Sequence, residues 1–312
     1  MALNIVRPAL LAAARSPKLE GLVGKSRVTK KLVDRFVPGS SETAVVDAAR
    51  ALLESGRSVS IDYLGEDTTD EATATVTVDA YLSLIRAYTG LTVARPHSLE
   101  VSIKLSALGQ SLPGDGNAVA LQNAHKICSA ADAAGVWVTV DAEDHTTTDR
   151  TLAVVRELRK DFPSVGTVLQ AYLKRTEADC REFAGPGSRI RLCKGAYQEP
   201  ATVAFQSKDD VDASYLRCLT VLMEGDGYPM VASHDPQMIA AATSLGADRA
   251  APFEFQMLYG IRDGEQVRLA TEGHRVRVYT PYGDQWYGYF MRRLAERPAN
   301  LTFFLRSLVS RS

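Results

Sequence analysis

The sequence predicts a (β/α)8 barrel of the TIM type in the α/β class, preceded by a helical arm. Three observations predict it: eight short apolar runs from Ser58 onward, amphipathic stretches between them, and no glycine-rich turn of a doubly wound sheet. The strand-like runs are Val59–Tyr63, Leu99–Leu105, Val136–Asp141, Thr167–Tyr172, Ile190–Lys194, Met230–His234, Ala251–Gln256 and Val276–Thr280. Helical periodicity marks Ala74–Tyr88, Ala118–Ala134, Thr148–Asp161, Ala178–Phe183, Val211–Met223, Gln237–Leu245 and Ile261–Glu272, with a last helix over Asp284–Glu296. The competing doubly wound sheet needs G-x-G-x-x-G after a strand. Gly114-Asp115-Gly116, Gly185-Pro186-Gly187 and Gly225-Asp226-Gly227 all fail that pattern. No linker rich in Pro, Gly or Ser divides the chain, so residues 46–312 form one barrel domain and residues 1–45 the arm.

Composition narrows the class of protein. The 312 residues are 46% hydrophobic and 23% charged, with a net charge of −1, which argues against a nucleic-acid partner. Cys128, Cys180, Cys193 and Cys218 show no C-x-x-C spacing, so they read as reduced thiols of a cytoplasmic protein. No apolar run approaches the ~20 residues of a membrane span. The arm is basic: Arg7, Arg15, Lys18, Lys25, Arg27, Lys30, Lys31 and Arg35 face only Glu20 and Asp34. Ile5, Leu10, Leu11 and Ala12 suggest one amphipathic helix there, and Leu32, Val33 and Phe36 a second. We read the arm as packed on the barrel, with peripheral contact to an anionic membrane surface as the alternative.

In such a barrel the C-terminal ends of the strands carry the chemistry. Polar groups stand at all eight: Asp62 and Tyr63, Lys104, Asp141 and Glu143, Gln170 and Tyr172, Arg191 and Lys194, Ser233 and His234, Glu254 and Gln256, then Tyr279. Singly, each has a dull explanation as a turn cap or a snorkelling cation. Together at eight strands they indicate an active site in the mouth. Lys104, Arg191, Lys194, Arg292 and Arg293 exceed what Asp141 alone balances, so the guest is anionic or an electron-rich ring such as a flavin.

The stretch Arg275–Asn300 adds a second signal. Arg275 to Tyr279 alternates polar and apolar, Pro281-Tyr282-Gly283 breaks the strand, and Asp284 is the expected N-cap of the last helix. At about 100° per residue, Tyr289 neighbours Arg292 and Arg293, and Arg292 neighbours Glu296. Paired guanidiniums beside a tyrosine suit a carboxylate, because arginine bonds it bidentately. Other chemistries lack their patterns. His97, His125, His145, His234 and His274 form no metal-ligand spacing, and there is no nucleophile elbow or P-loop. Lys104 or Lys194 as a Schiff-base lysine at a strand end remains the competing enzyme class.

These residues carry a resemblance. Val101-Ser102-Ile103-Lys104-Leu105, Asp141-Ala142-Glu143, Leu169-Gln170-Ala171-Tyr172, Arg191-Leu192-Cys193-Lys194-Gly195-Ala196-Tyr197, Ser233-His234-Asp235, Glu254 through Gly260 and the block from Tyr279 to Asn300 stand in the order of the proline dehydrogenase family. The chain resembles the monofunctional bacterial type over about Ser58 to Phe304.

The resemblance implies a distorted form of the (β/α)8 barrel, FAD as cofactor and oxidation of L-proline to Δ1-pyrroline-5-carboxylate, the first step of proline catabolism. Hydride would pass from proline C5 to flavin N5, and electrons onward to a quinone-type acceptor. By motif, Lys104, Arg292 and Arg293 would hold the carboxylate, and Tyr197, Leu258, Tyr279 and Tyr289 would wall the ring. Asp141 would orient the pocket, Glu296 would brace the guanidiniums, and Glu66 would act as a lid. Arg191 would lie near flavin N5 and Gln170 at the ring edge, while Lys194, Gly195, Ala196, Ser233 and His234 would contact the rest of the cofactor. Two other readings stay open on sequence: a lysine Schiff-base aldolase, and a non-catalytic amino-acid-binding barrel.

Overall fold

The computed structural model describes residues 33–296, with the side chains of 292–296 outside that description. Eight parallel strands close a barrel in sequence order, β1 pairing with both β2 and β8. They are β1 Ser58–Tyr63, β2 Leu99–Ile103, β3 Trp137–Val140, β4 Gly166–Gln170, β5 Arg189–Cys193, β6 Tyr228–Ala232, β7 Glu254–Leu258 and β8 Val276–Tyr282. The helices are α1 Glu42–Glu54, α2 Glu71–Tyr88, α3 Gly116–Ala133, α4 Thr148–Asp161, α5 Thr176–Phe183, α6 Lys208–Glu224, α7 Pro236–Gly246, α8 Asp263–Thr271 and α9 Trp286–Glu296.

The local reasons are visible in the caps. Asp70 accepts from the Thr73 N–H at 2.8 Å to start α2, Asp115 from Ala118 at 3.1 Å to start α3, and Ser207 from Asp210 at 3.1 Å to start α6. Asp235 caps α7, where Pro236 takes the first helical turn and loses no intrahelical bond. Between the strands and the helices runs one apolar layer. Val59, Ile61, Val101, Ile103, Val138, Val140, Ile190, Leu192, Phe255, Met257, Val276 and Val278 meet Leu52, Leu84, Ile127, Leu158, Leu219 and Leu269 from the helices there. Because strand side chains alternate, the intervening residues face into the barrel.

Two differences from the expected elements have physical causes. Strand β7 begins at Glu254 rather than Ala251, since Pro252 cannot donate to the ladder. Strand β6 begins at Tyr228 and admits Pro229 as its second residue, a position where the missing donor is tolerated, so the strand sits two residues earlier than expected. The last helix starts at Trp286, two residues past the expected cap Asp284. Helix α1 was unexpected. It buries Val45, Ala49 and Leu52 and packs against β1 and β8.

Tyr287, Tyr289, Phe290 and Met291 share a buried cluster with Leu64 and Ile261, and Leu258 and Tyr279 pack on it at the strand ends, so α9 lies at the mouth. Val33, Phe36 and Val37 complete this cluster. Gly260 has φ +70°, and a Cβ on it would come within 1.7 Å of the Arg35 carbonyl oxygen, so only glycine lets the chain cross here. The expected arm is otherwise residues 1–32, which lie outside the described residues.

Candidate active site

Strand alternation places three ranks of polar side chains inside the barrel. On β2, Glu100, Ser102 and Lys104 occupy alternate positions, and Ser60 and Asp62 on β1, Arg189 and Arg191 on β5, Glu254 and Gln256 on β7, and Arg277 and Tyr279 on β8 do the same. Branched apolar side chains dominate most barrel interiors. Here charge does.

At the mouth the groups converge on Asp141. It accepts from Arg191 Nη1 at 2.6 Å, Ser102 Oγ at 2.9 Å and Tyr279 OH at 2.7 Å, and Lys104 Nζ lies 3.7 Å away. Lys104 is nearer to Asp62, at 2.7 Å, and reaches Tyr279 OH at 3.5 Å. Burial alone would lower the Lys104 ammonium; the Asp62 and Asp141 carboxylates, with help from Glu66, reverse that and hold it above the ordinary lysine value. Burial raises Asp62, against the pull of Lys104. Burial also raises Tyr279 well above an ordinary phenol, reinforced by Asp141 and Asp62. Lys104 is therefore a fixed cation and Tyr279 a fixed donor, which suits neither to act as a base near neutral pH. A lysine that stays protonated is also a poor Schiff-base nucleophile.

Arg191 spans the barrel below them. Its Nε donates to Gln256 Oε1 at 2.5 Å, Nη1 to Ser102 at 2.8 Å as well as to Asp141, and Nη2 to Glu100 Oε1 at 2.8 Å and Ser60 Oγ at 3.4 Å. Its guanidinium carbon lies 5.3 Å from the centre of the Tyr279 ring. The roles of Asp62, Ser60, Ser102, Glu100 and Gln256 were not read from sequence. The polar-apolar alternation of Glu100-Val101-Ser102-Ile103-Lys104 was the signal that could have given three of the interior positions.

Beside the mouth a cleft of about 590 Å³ opens at the ends of β4 and β5, lined by Tyr172, Lys194, Gly195, Tyr197, Glu199 and Lys208 among others. Gly195 has φ +113°, and a Cβ on it would lie 2.3 Å from the Tyr172 ring. Lys194 pairs with Asp235 at 2.7 Å and with Asp212, and Lys208 also binds Asp212. Glu199 ties the loops together, accepting from the His145 N–H at 2.9 Å and from Tyr172 OH at 3.3 Å. The cleft has the volume of a cofactor site and two ammonium groups for a diphosphate, and the Tyr172 ring packs on the Gly195 turn at its wall. A flavin nucleotide fits that set. Gly195→Ala is expected to push the Tyr172 ring aside and strip the cofactor, read as the flavin-to-protein absorbance ratio after purification, with the far-UV circular dichroism of the wild type retained.

The remaining expected site residues fall into three groups. Leu258, Tyr279 and Tyr289 come together in the apolar cluster under α9. Gln170 Nε2 donates to the Glu143 carbonyl at 2.8 Å, and His234 Nε2 accepts the Leu258 N–H at 2.9 Å, so both are set at strand ends by backbone groups. Ser233 Oγ accepts from the Asp235 N–H at 3.1 Å, and Ala196 follows Gly195 on the cleft loop. Glu66 sits in the loop after β1, which hangs on the π-helical turn Ser106–Gln110 through the Asp67 and Thr68 N–H groups, both at 3.1 Å. The side chains of Arg292, Arg293 and Glu296 lie outside the described residues.

A closed barrel whose mouth joins a fixed lysine and arginine to a nucleotide-sized cleft defines a cofactor-dependent enzyme for a small anionic substrate. The family model described as proline dehydrogenase matches residues 45–306. The proline dehydrogenase of Deinococcus radiodurans is 40% identical, with 98% of each chain covered. Proline dehydrogenase 1 of Bacillus subtilis is 39% identical over 89% of this chain and 90% of its own. Among solved structures, proline utilization A from Bdellovibrio bacteriovorus inactivated by N-propargylglycine superposes with a TM-score of 0.78 at 26% identity, covering 86% of this chain and 33% of that one. The chain belongs to the proline dehydrogenase family and is of the monofunctional type, an enzyme of proline oxidation in proline catabolism with a flavin cofactor.

Among the described residues no helix is long and apolar enough to cross a membrane, and no group of three His, Cys, Asp or Glu is placed to hold a metal.

Proposed function

We propose that the flavin is FAD and that the substrate is L-proline, oxidised to Δ1-pyrroline-5-carboxylate, with electrons leaving to a quinone-type acceptor. The observation that carries this reading is the convergence of Lys104, Tyr279 and Arg191 on Asp141 beside the cleft. When bound, FAD would supply the acceptor for the hydride of proline C5. The chain does the rest by position and charge. Lys104, Arg292 and Arg293 hold the carboxylate, with Glu296 bracing the guanidiniums one turn on. Tyr197, Leu258, Tyr279 and Tyr289 exclude water and fix the size of the ring. Asp141 sets the tilt of Tyr279 and Arg191, and Glu66 closes over the substrate as a lid.

On the cofactor side Arg191 supplies positive charge near the reactive edge of the ring. Gln170 meets the ring, and Lys194, Gly195, Ala196, Ser233 and His234 hold the remainder; for Lys194 this requires sharing its Asp212 and Asp235 partners with the diphosphate. The protein works in the cytoplasm, with residues 1–45 as an arm packed on the barrel; peripheral contact of its basic groups with an anionic membrane, where a quinone is at hand, is the alternative.

The test is spectroscopic. Anaerobic addition of L-proline to the yellow protein is expected to bleach the flavin band. Arg292→Ala and Arg293→Ala are each expected to raise the proline concentration needed by at least tenfold with flavin content unchanged. A flavin band indifferent to proline removes the substrate assignment. Flavin loss in both variants removes the division of roles.

A further inference from the structure

The barrel interior holds more charge than the mouth uses. Glu100 is wholly buried on β2, and its carboxylate meets three guanidiniums: Arg191 Nη2 at 2.8 Å on Oε1, Arg189 on Oε2, and Arg277 Nε 3.9 Å from Oε2. Burial pushes the Glu100 carboxyl up, but Arg277, Arg189 and Arg191 outweigh it and leave it at about 2, ionised at every working pH. Arg191 thus has two carboxylates on opposite ends of its fork, Asp141 on Nη1 and Glu100 on Nη2. Asp141 is shared with Tyr279, Ser102 and Lys104 at the mouth. Glu100 belongs to the floor, below any guest.

We propose that Glu100 is a positioning residue for Arg191: it fixes the tilt of the guanidinium from below and offsets part of the positive charge that Arg191 presents to the flavin. This rests on the reading that Arg191 faces the flavin. Ser60 and Gln256 supply neutral acceptors, so among the described residues Glu100 is the one charged group bonded to the floor side of the fork, with Glu254 acting on it only at longer range. A planar guanidinium held by carboxylates at both ends cannot rotate without breaking a charge-assisted bond. Removing the lower carboxylate leaves Asp141 as the one carboxylate on the fork, with Gln256, Ser102 and Ser60 as neutral acceptors, and raises the net charge beneath the flavin by one.

The experiment measures the flavin midpoint potential of the full-length FAD-loaded protein, by reductive titration against a reference dye, in the wild type, Glu100→Gln and Arg191→Gln. In Glu100→Gln the potential is expected to move positive, by an amount equal to at least a tenfold gain in preference for reduced over oxidised flavin. In Arg191→Gln it is expected to move negative. A carboxylate serving the core alone would lower the melting temperature and leave the potential where it was. Since Glu100→Gln strands Arg189, Glu100→Asp is the second variant: it keeps a carboxylate for Arg189, withdraws it from Arg191, and is expected to move the potential the same way by less. An unmoved potential in Arg191→Gln overturns the reading of Arg191 itself. A shift there, with none in a folded Glu100 variant, overturns the role of Glu100 alone, as does failure of both Glu100 variants to fold.

Discussion

Arg277→Met is expected to destabilise the protein by about 3–5 kcal/mol, the range for removing one partner of a buried ion pair. Arg277 is wholly buried, and its guanidinium grips Glu254 with Nε at 2.7 Å and Nη2 at 3.1 Å. It also donates to the carbonyls of His97 at 2.8 Å, Val59 at 3.1 Å and Ser98 at 3.3 Å. Methionine fills much of the volume, so the cavity contribution is small. What remains is the Glu254 carboxylate with only Gln256 and Tyr228 as donors, and three carbonyls that lose the guanidinium, of which Ser98 keeps the Val59 N–H at 2.8 Å. A drop of about 10 °C in the melting temperature is expected on that scale. Adding Glu254→Gln, which removes the stranded charge and keeps an acceptor for Tyr228, is expected to recover more than half of the loss in a double-mutant cycle. Strict additivity of the two substitutions would show that the pair is not coupled.

The second large effect is at the mouth, where Asp141→Ala is expected to lower kcat by about 10²–10³. Two consequences of the substitution oppose each other. Deleting an anion beside Lys104 strengthens the field for a substrate carboxylate, which favours binding. Yet Tyr279, Ser102 and Arg191 lose their shared acceptor, and charge-assisted bonds of this kind are worth roughly 1.5–3 kcal/mol each. The orientation loss outweighs the gain in field, so the fall belongs in kcat, with KM changed by less than about tenfold. Asp141→Asn keeps the shape and one acceptor and is expected to lie between. Steady-state kinetics normalised to flavin content separates these outcomes, and a full-rate Asn variant would contradict an orienting role for the carboxylate.

Much of this architecture was legible in the chain because a barrel repeats one physical pattern eight times. Alternating strands such as Leu99–Ile103 and Val276–Tyr282 mark themselves, and errors in one boundary do not disturb the others. Boundaries failed where proline made the local pattern ambiguous, at Pro229 and Pro252. Strand-end residues such as Lys104, Asp141 and Tyr279 could be chosen because their position in the pattern is itself the signal. Their partners could not. Arg191 meets Ser60, Glu100 and Gln256 only after the sheet has closed, across separations of 131, 91 and 65 residues, and no local periodicity encodes such a meeting. Lys194 likewise finds Asp212 and Asp235 on two different helices.

The pairing of β1 with β8 sets Ser58 beside Arg277 and Tyr63 beside Tyr282, and it has a kinetic meaning. Contacts between segments so far apart form late, because the loop entropy must be lost before the contact stabilises anything. The cofactor half of the site, from Gln170 to His234, comes from one continuous stretch of chain. The substrate half needs Asp62 and Lys104 to meet Tyr279. During refolding the protein is therefore expected to gain its flavin cleft before its proline pocket, with flavin fluorescence quenching ahead of the return of proline-dependent bleaching. Synchronous recovery of the two signals would mean that ring closure comes first.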